Sequence, residues 1–118
     1  MNGKAKPVYA DIEIYLLSKG LSDIVEWLKK RFVLLLPDTE AKGNSTTHHL
    51  LAKTDTATIR IIIVEKVLDG YSSVLFDSPN TPWESDLDCA RDAFRHLRVE
   101  VRCCAGSWSP EQNPDEWL

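Results

Sequence analysis

Glycine is sparse and scattered. The chain of 118 residues has five, at positions 3, 20, 43, 70 and 106. None falls in a G-x-G-x-x-G or Walker arrangement, so no Gly-rich loop is available to cradle a phosphate. G-x-S-x-G and H-E-x-x-H are absent too, which sets aside common serine hydrolases and zinc proteases. Cysteine is equally thin, with Cys89, Cys103 and Cys104. An odd count with two neighbours adjacent is a poor disulfide framework. There is no C-x-x-C, and His48 and His49 stand about forty residues ahead of the first cysteine, so no zinc pattern forms. Reduced, partly buried thiols are expected. No catalytic residue, no metal ligand and no cofactor is assigned from these motifs.

Long apolar runs are also missing. The densest, Phe32–Leu36 and Ile59–Val64, are far too short to span a bilayer. Residues 1–7 are polar, carry two lysines and lack the apolar stretch of a signal peptide. The expectation is a flexible N-terminus, a cytoplasmic location and no membrane partner. Asn44-Ser45-Thr46 matches a glycosylation sequon, but without an export signal it reads as a polar loop. Basic charge is short. The formal net charge is −4, with six basic and four acidic residues before position 37 and eight against fourteen after it. The only basic run, Lys29-Lys30-Arg31, ends a helical pattern, where cations complement the helix dipole. Nucleic acid therefore ranks low as a partner.

What remains is an ordinary globular composition. Apolar residues make up 43% and charged residues 27%, which argues against global disorder. Length and composition together fit one domain over residues 1–118. Residues 8–17 alternate, with Val8, Ala10, Ile12, Ile14 and Leu16 on one side and Tyr9, Asp11, Glu13 and Tyr15 on the other. This is a strand with one buried face. Past Gly20, Ser22 or Asp23 can cap a helix whose apolar stripe is Leu21, Ile24, Val25, Leu28 and Phe32, widened by Trp27. A short strand over 33–36 stops at Pro37. Residues 38–46 read as a loop.

Two strands follow at 47–54 and 58–67, joined tightly at Asp55-Thr56, although no glycine supports that turn. Asp69-Gly70 turns the chain into a fifth strand near 72–77. Ser85 caps a second helix with the stripe Leu87, Ala90, Phe94 and Leu97. A last strand covers 99–104, and residues 105–118 are a Pro-interrupted, irregular tail. The order β-α-β-β-β-β-α-β predicts an α+β fold, a two-layer α/β sandwich whose mostly antiparallel sheet has both helices on one face. In element order it resembles a ferredoxin-like sandwich with additions.

Four constellations could carry function. Asp77, Glu84, Asp86 and Asp88 cluster around Trp83, as a cation site or an acid/base pair would. Their spacing is not that of an EF-hand, and a helix cap with Trp83 as a lid on the core is the simpler reading. His48 and His49 point to opposite faces of a strand, so at most one joins any site. The uncovered sheet face collects Tyr9, Asp11, Glu13, Tyr15, Arg60, Ile62, Val64, Glu100 and Arg102. Ile62 and Val64 would be left in water there, which is how interfaces are often marked. Aromatic residues on such a face also bind RNA, but Asp11, Glu13 and Glu100 would repel phosphate. In the tail, Trp108 is expected to pack back on the domain, and Trp117 is a candidate contact.

These residues support a small non-catalytic binding or accessory protein that acts by its surface. Its partner would be a second copy, giving a homodimer, or another protein, with Tyr9, Tyr15, Ile62, Val64, Arg102 and Trp117 at the interface. The alternative is a small-molecule-binding domain or small enzyme with its site near loop 77–88. Trp83, Glu84, Asp86 and His48 would serve as its ligand-binding residues.

Overall fold

A computed structural model describes residues 11–103 and 106–108. The alternating N-terminal segment forms β1 (Asp11–Leu17), with Ile12, Ile14 and Leu16 buried. The chain then enters α1 (Leu21–Lys29), which lays Ile24, Trp27 and Leu28 into the core. Neither Ser22 nor Asp23 caps this helix. Gly20 is the N-cap residue and offers no side chain. The first helical N–H, that of Leu21, donates instead to Glu65 Oε2 at 2.8 Å. A carboxylate from a distant strand does the work expected of a local residue.

Next come β2 (Leu34–Pro37), β3 (Thr47–Lys53), β4 (Thr58–Leu68) and β5 (Tyr71–Asp77). The β3–β4 turn lacks glycine, but the Thr54 hydroxyl accepts from the N–H groups of Thr56 and Ala57, at 3.2 and 3.0 Å. At the β4–β5 turn, Asp69 and Gly70 have φ of 51° and 82°. That left-handed pair suits a two-residue hairpin turn, and aspartate and glycine tolerate it best.

Ser85 caps α2 (Asp86–Leu97) as expected, accepting from the Asp88 N–H at 3.2 Å. The final strand is shorter than the 99–104 expected, as β6 (Val101–Cys103). Within the segment read as irregular, Gly106–Trp108 adds a further strand, β7.

Among the described residues, seven strands form one sheet in the order β2-β3-β4-β5-β1-β6-β7, with every pairing antiparallel. Two helical connections organise it. One leaves β1 and, through α1, reaches the edge strand β2. The other leaves β5 and, through α2, crosses β1 to reach β6.

Both helices contribute to one core. It joins Ile12, Ile14 and Leu16 to Ile59, Ile61, Ile63, Val74, Phe76 and Val101 from the sheet, and to Trp27, Leu28, Ala90, Ala93 and Phe94 from the helices. The strand residues in this set share one face, so the layers are a sheet and a pair of helices on one side of it, an α+β sandwich. Each large apolar side chain buried this way contributes about 1.5–3 kcal/mol. Among the described residues, no helix is long and apolar enough to cross a membrane.

Candidate interaction surface

Register decides what the other face of the sheet carries. His49 lies opposite Ile62, Ile62 opposite Leu75, and Leu75 opposite Glu13. One pair further along, Thr47, Val64, Ser73, Tyr15 and Arg102 form a second row across five strands. Leu36, Leu51 and Arg60 begin a third. These rows point away from the helices because their neighbours along each strand are the core residues. Leu51, Ile62, Val64 and Leu75 therefore make an apolar field, with each side chain partly exposed. Toward the β2 edge, Leu34 and Leu36 extend it and are 44% and 39% exposed.

Charge borders this field. Arg60 reaches Asp77 at 3.8 Å, and Arg102 reaches Glu100 at 3.1 Å. The Arg102 guanidinium also sits over the Tyr71 ring, 4.7 Å from its centroid. Burial, followed by the hydrogen bond to Glu100, raises the Tyr71 hydroxyl above its ordinary pKa. On the β2–β3 side the loop after Pro37 and the open face of β3 and β4 together line a groove of about 610 Å³. Asp38, Glu40 and Ala41 line it from the loop, and His49, Leu51, Arg60 and Ile62 line it from β3 and β4. Hydrogen bonds hold that loop. The Asp38 N–H donates to the His49 carbonyl at 2.9 Å, and Asn44 Oδ1 accepts from the N–H groups of Thr46 and Thr47, each at 2.9 Å. Gly43 fits because a Cβ there would lie 2.4 Å from the Thr47 carbonyl oxygen.

The ligand-binding residues named from sequence do not meet at one place. Trp83 packs on the core, stacking on Trp27 with centroids 5.6 Å apart and meeting Phe76 edge-on at 4.9 Å. Its indole N–H donates to Asp92 Oδ2 at 3.0 Å. Glu84 is exposed in the loop, while Asp86 and Asp88 occupy the first turn of α2 beside the Ser85 cap. His48 lies on the helix side of β3, with Nε2 2.9 Å from Glu65 Oε1, near the start of α1. Trp83 packs against Trp27 and Phe32, at that helix's other end.

Of the interface residues, Tyr15, Ile62, Val64 and Arg102 share the open face. Tyr9 and Trp117 lie outside the described residues. No protein-family model, no curated protein and no solved structure matches the chain.

Several residues escaped the sequence reading. Leu75 and Leu51 complete the apolar field, and their strand parity relative to Ile62 was the available signal. Asp92 carries no local sequence pattern that marks it. It is a junction, holding Arg31 through Nε at 2.5 Å and Nη2 at 2.6 Å as well as Trp83. Burial works to raise its pKa, but the bonds from Arg31 and Trp83 outweigh that and leave it lowered. Cys89 offers no reactive thiol. Complete burial, with Asp92 nearby, pushes its pKa well above the ordinary value, and a protonated thiol is a poor nucleophile.

Proposed function

We propose that this chain is a non-catalytic interaction protein that works through its open sheet face and binds a second copy of itself. The observation that supports this is the apolar field of Leu51, Ile62, Val64 and Leu75 on a face that none of the described helices covers. Contiguous apolar surface rimmed by charge is typical of interaction sites on otherwise monomeric folds. A two-fold interface reuses one patch on both subunits, which suits a face with acidic and basic rims together. The reading takes the protein as cytoplasmic. The buried thiol of Cys89 is compatible with a reducing compartment.

A small-molecule site at loop 77–88 has less behind it. Trp83 is committed to the aromatic core and to Asp92, and Asp86 belongs to the first turn of α2.

Light scattering across a concentration series, at two salt levels, tests the proposal. The expected mass is that of two chains, falling to one in Ile62→Glu. A wild-type chain that stays monomeric up to millimolar concentration overturns it.

A further inference from the structure

The β4–β5 hairpin carries an exposed apolar tip. Register between the two strands shifts between Val64 and Leu68, and Lys66 adopts φ 55° within that shift. The bulge sets Leu68 opposite Tyr71, which shares the open-face parity of Ser73 and Leu75. Leu68 is 69% exposed and Val67 is 40% exposed. Lys66 precedes this pair and Asp69 follows it, so the tip reads as a cation, two aliphatic side chains and an anion.

The groove beside the β2–β3 loop has the converse pattern. Its lining carries the carboxylates of Asp38 and Glu40, the apolar side chains of Leu51 and Ile62, and the guanidinium of Arg60. Arg60 is held only loosely by Asp77, at 3.8 Å, with 58% of its side chain exposed. We propose that the Lys66–Asp69 tip of one copy seats in this groove of a second copy, and reciprocally. This inference rests on the self-association reading and specifies its geometry.

Position along β4 makes the arrangement self-consistent. Val64 lies opposite Ser73 and Leu68 opposite Tyr71, so the bulge leaves Leu68 two residue rows beyond Val64, while Ile62 stands two residues before it. Aligned sheets pack face to face about 10 Å apart. Two open faces packed with their β4 strands antiparallel, crossing at Val64, therefore bring each Leu68 over the other copy's Ile62, which lines the groove. The offset of Leu68 is about 7 Å on either side of the crossing point, at roughly 3.3 Å per residue over two rows. Lys66 then meets Glu40 and Asp38, and Asp69 meets Arg60. The two contacts are related by the same two-fold axis, so the assembly closes at two copies.

The test is the dimer dissociation constant of four variants, measured by sedimentation. Leu68, Lys66 and Glu40 are exposed in the single chain, so substituting them leaves the fold intact, which circular dichroism verifies. Leu68→Glu is expected to raise the constant at least tenfold, and Lys66→Glu and Glu40→Lys about tenfold each. The double variant Lys66→Glu/Glu40→Lys restores the charge pairing and is expected to return within about threefold of wild type. A dimer that is split by Ile62→Glu, yet indifferent to Leu68→Glu and Lys66→Glu, overturns the hairpin docking and leaves the open-face reading standing. Failure of the double variant to recover removes the Lys66–Glu40 pairing. A monomeric wild type overturns both proposals.

Discussion

Asp92 ties the end of α1 and the loop before α2 to the second helix through one carboxylate. Its two oxygens receive the Arg31 guanidinium from beyond the end of α1 and the Trp83 indole from the loop before α2. The neighbouring Trp27 indole lowers its pKa further, although the Trp27 N–H makes no hydrogen bond of good geometry. Removing the carboxylate leaves partly buried donors without an acceptor, which costs about 1–3 kcal/mol. Asp92→Ala is therefore expected to destabilise the fold by about 2 kcal/mol in urea unfolding. Asp92→Asn, which keeps one oxygen for Trp83, should lose about half of that. A pH effect accompanies it. A carboxylate with a depressed folded-state pKa contributes stability above its unfolded value, near 3.9, and loses that contribution as pH falls through the folded value. The wild-type advantage over Asp92→Asn should be full at neutral pH and shrink below about pH 4. An advantage that persists unchanged at pH 2 would show that packing, not charge, accounts for it.

The two helices start by different means, and the difference explains what sequence could and could not reveal about them. Ser85 caps α2 through the Asp88 N–H three residues on, a contact written into adjacent positions. At α1 the acceptor is Glu65, 44 residues from Leu21. Its other oxygen takes His48, and that bond first, with the Leu21 N–H second, lowers the Glu65 pKa. No local pattern announces such a cap, so Ser22 and Asp23 were the natural but mistaken candidates. Glu65→Ala and Ser85→Ala should each cost about 1 kcal/mol. Their hydrogen-exchange signatures should differ. Ser85→Ala is expected to accelerate exchange only at the start of α2. Glu65→Ala should accelerate it at Leu21–Ile24 and also at the β3–β4 pairing near His48, because one carboxylate joins both elements. Equal, local effects in the two variants would mean that Glu65 acts on the helix alone.

At the scale of the whole molecule, alternation in β1 and β4 and the stripes of both helices were enough to give two layers. Each core residue there follows from period 2 or period 3.6 in its own segment. Strand order was not readable, because it depends on which edge the β2–β3 hairpin joins and on α2 crossing over β1. β7 was missed because three residues, Gly106–Trp108, are too few to show a period. The open face was readable at Ile62 and Val64, whose alternation with Ile61 and Ile63 assigns them a side. The groove was not, since it depends on where the loop after Pro37 lies against β3 and β4. If the face pairs two chains through most of the native lifetime, unfolding is coupled to dissociation and the melting temperature must depend on concentration. At about 0.7 kcal/mol of unfolding enthalpy per residue, a dimer of this chain should gain roughly 3 °C in Tm per tenfold rise in concentration. Leu68→Glu should flatten that slope without lowering Tm at high dilution, because Leu68 is largely exposed in the single chain. A wild-type Tm that is constant over two decades of concentration would assign all of the stability to the single chain's own core.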